Sequence, residues 1–240
     1  MKKILINYAD RKYFEAQKFN ARTGVEIGGF DVAYTCGRQH LDPQFCARYQ
    51  SILSQPRGAG YWLWKPYIIL QTMRHLMQEG DVLFYSDSGA HFVHDAKPVI
   101  DICLSHAEKP IVLCALAADF TNRKWTKRDC FHYMDLDRPP YLDQPQILSG
   151  YIVCGKNRYA MDFFAEWLRH AQDERNLTDA PNQCGLPNYP GFVEHRHDQS
   201  ILSLLGRREG VAVVGDISEW GNSYRAPELP QIIACTRNSL

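Results

Sequence analysis

Apolar residues fall in short blocks separated by polar, glycine-containing exits, the rhythm of a chain that alternates buried strands with amphipathic helices. Residues 3–8 have strand length, 11–21 carry a mixed pattern suited to a helix, and 30–35 form a second β-rich run after Gly28-Gly29. The opening therefore reads β-α-β. Residues 43–53 predict a helix capped by Asp42, and 67–78 a longer one that stops at Glu79-Gly80. The block 81–85 is a compact strand that ends abruptly at Ser86-Asp87-Ser88-Gly89, and such an exit is where open α/β sheets place ligands. Asp95 is placed to cap a helix with Pro98 in its first turn, and 111–113 is another buried strand. Further on, 147–154 read as a strand interrupted by Gly150, 159–171 as an amphipathic helix, 198–205 as a helix and 211–214 as a last strand. Between these, 173–192 carry three prolines and two glycines and predict a long irregular loop, of the kind that commonly carries binding residues.

A length of 240 residues supports one substantial core, with no repeat or linker to divide it, so 1–240 read as a single α/β domain. Lysine plus arginine balance aspartate plus glutamate at 27 each, which removes the global positive field that would favour nucleic acid. The start, Met-Lys-Lys before Ile4-Leu5-Ile6, is broken at Asn7 and Asp10, too soon for a secretory core, and no later run has the length of a membrane span. Eight cysteines contain no Cys-x-x-Cys pair, and Cys103, Cys114 and Cys154 sit inside apolar blocks where a reduced thiol acts as a small hydrophobe. A cytoplasmic location is the expectation.

The chain has no phosphate-loop motif, dinucleotide fingerprint, Gly-x-Ser-x-Gly elbow or His-Glu-x-x-His helix, so kinase, dehydrogenase and common hydrolase readings lose their support. Three unusual segments remain: Arg57-Gly58-Ala59-Gly60-Tyr61-Trp62-Leu63-Trp64-Lys65-Pro66, then Phe84-Tyr85-Ser86-Asp87-Ser88-Gly89, then Glu194-His195-Arg196-His197-Asp198-Gln199-Ser200. Together they resemble bacterial and phage-type sugar transferases, in which a Gly-Tyr-Trp-x-Trp-Lys-Pro segment precedes a Tyr-x-Asp-x-Gly turn and a His-Arg-x-Asp-Gln-Ser helix start. The resemblance runs over most of the chain. It implies a GT-A-like fold, a mixed sheet flanked by helices, and transfer of a sugar from a UDP- or GDP-linked donor to a hydroxyl acceptor such as a glycan, as in polysaccharide biosynthesis. It also implies a divalent cation, Mn²⁺ or Mg²⁺, held against the donor's diphosphate by the Asp-x-Asp motif at this strand end. Here Ser86-Asp87-Ser88 supplies one aspartate where that motif has two, so Asp87 is the expected metal ligand and would need a second from His195, His197 or Asp198.

The resemblance places Tyr8, Asp10, Lys65, Tyr85 and Ser86 at the nucleotide sugar, with Tyr8 to stack, Asp10 to bind a ribose hydroxyl and Lys65 to meet phosphate. It places Gln146 and Gly150 near the acceptor and Asp198 in the catalytic position, while Trp62, His195 and His197 are candidates for the sugar or acceptor by their own chemistry. Each residue also has an ordinary alternative. Asp87 can open a turn, Trp62 can be core, Gly150 can mark a bulge, and Asp198 can serve as the N-cap of the following helix. A carbohydrate- or nucleotide-binding module without turnover is the second reading, and a metal-dependent hydrolase using His195, His197 and Asp198 the third.

Overall fold

A computed structural model describes residues 1–218 and 229–235. Strands β1 (Lys3–Tyr8), β2 (Val32–Cys36), β3 (Val82–Ser86), β5 (Ile111–Ala115), β6 (Ile147–Gly155) and β7 (Ala212–Gly215) form one sheet in the order β2-β1-β3-β6-β5-β7. β4 (Ala90–Phe92) and β8 (Ile233–Cys235) pair separately as a small antiparallel ribbon. Every pairing in the large sheet is parallel except those of β6, which runs against both β3 and β5. The result is the expected mixed α/β sheet.

Strand alternation explains why both faces are covered. Ile4, Ile6, Leu83 and Tyr85 point into one apolar cluster, whereas Leu5, Val82 and Phe84 point into the other. On the first face lie the helices Trp64–His75, Arg158–Ala171 and Asp198–Glu209, and on the second the helix Lys97–Ser105. The helix Phe14–Glu26 also packs on the second face, where Gly24 leaves room for Leu5. A strand buried on both faces reads as a continuous apolar run, which is what 82–85 look like in sequence.

Several boundaries differ from the sequence expectation for physical reasons. The helix expected over 67–78 is Trp64–His75, because Pro66 falls in its first turn, where a missing N–H costs nothing. Lys65 is thereby helical. The helix expected over 43–53 breaks at Tyr49 (φ −112°, ψ 31°) into Pro43–Arg48 and Gln50–Leu53, although Asp42 does cap it, accepting from the Gln44 and Phe45 amides at 2.8 and 3.1 Å. The loop after Ala171 contains one helical turn, Glu174–Leu177. Strand β6 carries the irregularity that Gly150 suggested: Leu113 faces Ile152, but the next residue, Cys114, faces Leu148. Residues 149 to 151 therefore have no register partner on β5.

Candidate functional site

From β1 the chain steps outward to β2 on one side and returns to β3 on the other, so the carboxyl ends of β1 and β3 flank a topological switch point. A cleft of about 930 Å³ opens there. Its walls come from the exits of β1 (Tyr8, Asp10) and β3 (Asp87, Gly89), the irregular stretch of β6, and the starts of the helices at Trp64 and Asp198.

At the centre of the cleft lies Lys65, 1% exposed. Its ammonium is 3.3 Å from Asp87 Oδ1 and 3.2 Å from Asp198 Oδ2, and it donates to the Ser149 carbonyl at 3.1 Å and the Ser149 hydroxyl at 3.2 Å. Three N–H groups face four oxygens. Burial alone would lower its pKa, but the two carboxylates outweigh that and hold it above the ordinary lysine value. Lys65 is thus enclosed by oxygens of the chain itself, two carboxylates and Ser149, where the sequence reading sets it against a phosphate. Each of the three sequence segments contributes one member of the cluster: Lys65, Asp87 and Asp198.

Asp87 is the most accessible of the three, its side chain 45% exposed. The Tyr85 hydroxyl donates to its Oδ1 at 2.5 Å, its backbone N–H bonds the Gly150 carbonyl at 2.9 Å, and a Cβ on Gly150 would stand 3.2 Å from its Oδ2. Gly150 therefore leaves that oxygen room. Tyr85 and Ser86, expected at the nucleotide sugar, are wholly buried and outside the cleft wall, because both faces of β3 are covered. Tyr85 acts through Asp87. The Ser86 hydroxyl accepts from Asn20 Nδ2 at 2.9 Å, and Asn20 Oδ1 accepts from Asn7 at 2.7 Å, a buried network tying the helix Phe14–Glu26 to β1 and β3.

Tyr8 lines the cleft but is nearly buried, and its ring stacks on Trp64 with centroids 3.8 Å apart and planes at 13°. Burial raises its phenol pKa to about 12. One ring face is thus already occupied, which corrects the expectation of an open stacking platform. Asp10 lies at the same end, exposed, and accepts from the Lys12 amide at 3.1 Å, which caps the 3-10 turn Arg11–Tyr13. Gln146 is buried in the opposite wall, donating to the Trp125 carbonyl at 3.1 Å and accepting from Gln199 at 2.7 Å.

Asp198 is the first residue of its helix, and the cap position belongs to His197, which makes no side-chain cap. The Asp198 carboxylate turns to Lys65 instead of capping the helix. Burial pushes the Asp198 pKa up and Lys65 pulls against it. His197 lines the cleft at φ 53°, with Nδ1 2.8 Å from the Leu177 carbonyl. His195 does not reach the cleft: it is buried behind it, accepting from the Lys127 amide at 3.3 Å and donating to the Asn176 carbonyl at 2.8 Å. Burial, then the neighbouring His197, keeps its pKa well below the ordinary value, so it is a neutral structural group. This corrects its assignment to the sugar or acceptor. Among the described residues no three histidine, cysteine, aspartate or glutamate side chains come together as a metal cage.

The structure adds residues that the sequence reading passed over. Ser149 sits between the two quoted positions Gln146 and Gly150, and the bulge signal at Gly150 pointed to its neighbourhood. Trp125 and Arg196 line the far end, the guanidinium 4.4 Å from the indole centroid, and nothing in local sequence marks Trp125. Arg57 lines the wall and pairs with Glu194 at 3.4 Å and Asp179 at 3.7 Å.

No protein-family model and no curated protein matches the sequence. Among solved structures, the apo form of mouse xyloside xylosyltransferase 1 is similar at 8% identity, over 98% of this chain and 96% of that one, with a TM-score of 0.49. The apo form of glycosyltransferase GlyE from Streptococcus pneumoniae TIGR4 is similar at 11% identity, over 90% of this chain and 46% of that one, with a TM-score of 0.45. At this distance the likeness is one of outline, and function rests on the cleft of the chain itself.

Proposed function

We propose that the chain is a GT-A-type glycosyltransferase that moves a sugar from a nucleoside-diphosphate donor to a hydroxyl acceptor on a glycan. The observation that carries this reading is the meeting of Lys65, Asp87 and Asp198, drawn from three separated segments, in a cleft at a topological switch point. A cluster of two carboxylates and one ammonium keeps a net negative charge, suited to a cation that accompanies a diphosphate rather than to a bare anion. In the proposed arrangement the nucleoside lies at the β1 end, where Asp10 meets a ribose hydroxyl and the exposed Lys12, which lines the same wall, is a cation for the diphosphate.

The residues fit a divalent cation of the Mg²⁺ or Mn²⁺ kind, which is commonly held by one or two carboxylates with phosphate and water completing the shell. Asp87 would hold it through Oδ2, the oxygen that Tyr85 and Lys65 leave open and Gly150 leaves room for. Bound there, it would neutralise charge on the departing diphosphate. Asp198, held beside Lys65, would accept a hydrogen bond from a hydroxyl of the donor sugar or acceptor and fix its orientation at the reacting centre.

Titration with UDP and GDP, with and without Mn²⁺, tests this, repeated on Asp87→Asn. The expected result is cation-dependent binding of one nucleotide that the variant loses; absence of binding to either would sink the proposal. A binding module without turnover gains some support from Ser86-Asp87-Ser88, which supplies one aspartate where the metal motif has two. It would retain nucleotide-sugar affinity yet release no free nucleotide on long incubation, with or without acceptor.

A further inference from the structure

Two stretches of the cleft wall have backbone in the left-handed region, and they meet. Gly58, Ala59, Gly60, Tyr61 and Trp62 have φ of 57°, 50°, 100°, 52° and 59°, a complete left-handed turn closed by bonds from the Tyr61 amide to the Arg57 carbonyl (2.7 Å) and from the Trp62 amide to the Gly58 carbonyl (3.2 Å). Only glycine adopts this conformation freely, so Ala59, Tyr61 and Trp62 are strained. The two glycines are needed for packing as well. A Cβ on Gly58 would strike the Trp62 indole, and one on Gly60 would stand 2.7 Å from the Leu53 backbone. The second stretch is His197, which holds φ 53°, ψ −121°.

The rings of these strained residues lie against one another. Trp62 and His197 stack with centroids 5.6 Å apart and planes at 26°, and Tyr61 lies 4.9 Å from the same imidazole. Each strained stretch leads straight into a charged residue of the cluster: Trp62 shortly precedes Lys65 in the first turn of Trp64–His75, and His197 immediately precedes Asp198 at the start of Asp198–Glu209. The direction in which each helix begins is therefore set by the residue held at positive φ. Backbone strain of this kind persists where surrounding structure fixes it, and it concentrates at functional sites.

We propose that the contact between Trp62 and His197 is a clasp that positions the Lys65–Asp198 pair for the transfer step. This rests on the glycosyltransferase reading. The clasp locks two helix starts that are distant in sequence, so that Lys65 Nζ and Asp198 Oδ2 stay at 3.2 Å while the cleft fills and empties. The residues act through the pair, and their strain is the cost of aiming it.

His197→Gly provides the test, because glycine takes φ 53° without strain while the ring contact is lost. The expected result is a melting temperature equal to or above that of the parent chain, a kcat lower by about tenfold or more, and a donor KM within about twofold. A second readout needs no activity: the buried ammonium of Lys65 should give a sharp ¹⁵N resonance in the parent chain that broadens or disappears in His197→Gly. Trp62→Ala should repeat the loss, with Trp62→Phe keeping more of both kcat and resonance. Retention of kcat and of the Lys65 resonance in His197→Gly would overturn the clasp. So would a fall in melting temperature that accounts for both losses. If no nucleotide sugar turns over in the parent chain, the transferase reading falls, and the Lys65 resonance still decides whether the clasp holds the pair.

Discussion

Lys65 and Asp198 form an ion pair at 3.2 Å with side chains only 2% and 4% exposed, although they come from segments far apart in the sequence. A buried pair of this kind adds little over an apolar pair, but removing one partner leaves an uncompensated charge. Lys65→Met is therefore expected to destabilise the chain by about 3–5 kcal/mol. Adding Asp198→Asn should recover part of that loss, a coupling of about 1–3 kcal/mol in a double-mutant cycle. Urea denaturation of the four chains measures it, and strictly additive effects would show that the pair is not a unit.

Tyr85 offers a cleaner separation of folding from ligand binding. Its hydroxyl donates to Asp87 Oδ1 at 2.5 Å, and Asp87 itself is accessible enough for water to replace the lost bond. Tyr85→Phe should change stability by only about 1 kcal/mol. With the carboxylate free to rotate, cation-dependent nucleotide affinity should fall by about fivefold or more, corresponding to about 1 kcal/mol. Calorimetric titration of the nucleotide with Mn²⁺ reads this; unchanged affinity would separate Asp87 from the cation.

Gly150 tests the geometry from the opposite side. An alanine Cβ there would lie 3.2 Å from Asp87 Oδ2, tighter than an ordinary contact, in the stretch of β6 that has no partner on β5. The carboxylate would have to move by a few tenths of an ångström. Gly150→Ala is expected to fold with near-parental stability while kcat/KM for donor turnover falls by about tenfold. Equal activity in the two chains would remove Gly150 from the site.

What could be read from sequence, and what could not, follows from the range of the interactions involved. The strand 82–86 and the exposure of Asp87 at its end were legible, because an apolar run followed by a polar, glycine-containing exit reports local burial directly. The convergence of three segments was indicated only by their resemblance to sugar transferases, since spacing along a chain carries no distance between residues 65, 87 and 198. The oxygens around the Lys65 ammonium were not legible, because sequence does not show which groups enclose a buried charge. His195 and His197 do lie side by side, their ring centroids 5.2 Å apart and each bonded to a carbonyl of the turn Glu174–Leu177, but only His197 reaches the cleft, and that depth of burial is not written in the spacing of the two residues. The ribbon of β4 and β8 escaped notice because each strand has three residues, too few for a periodic signal.

His170 gives the pH dependence of the fold a definite sign. Its side chain is 6% exposed on the helix Arg158–Ala171, with Glu166 Oε1 3.6 Å from Nε2 and Arg169 donating to that same nitrogen at 2.9 Å. Burial first, then the adjacent Arg169, lowers its pKa to about 4 against the pull of Glu166, whose carboxylate is also engaged by Arg208. The unfolded chain takes up this proton near the ordinary histidine value, whereas the folded chain resists until about pH 4, so the unfolded state binds more protons between those values. The contribution of His170 to stability is thus fully present above about pH 6.5 and declines as pH falls toward 4, by roughly 3 kcal/mol in all. Denaturation near neutrality and at about pH 4.5 should show a steeper acid loss in the parent chain than in His170→Gln. Parallel profiles for the two chains would mean that His170 protonates as readily in the folded protein as in the unfolded one.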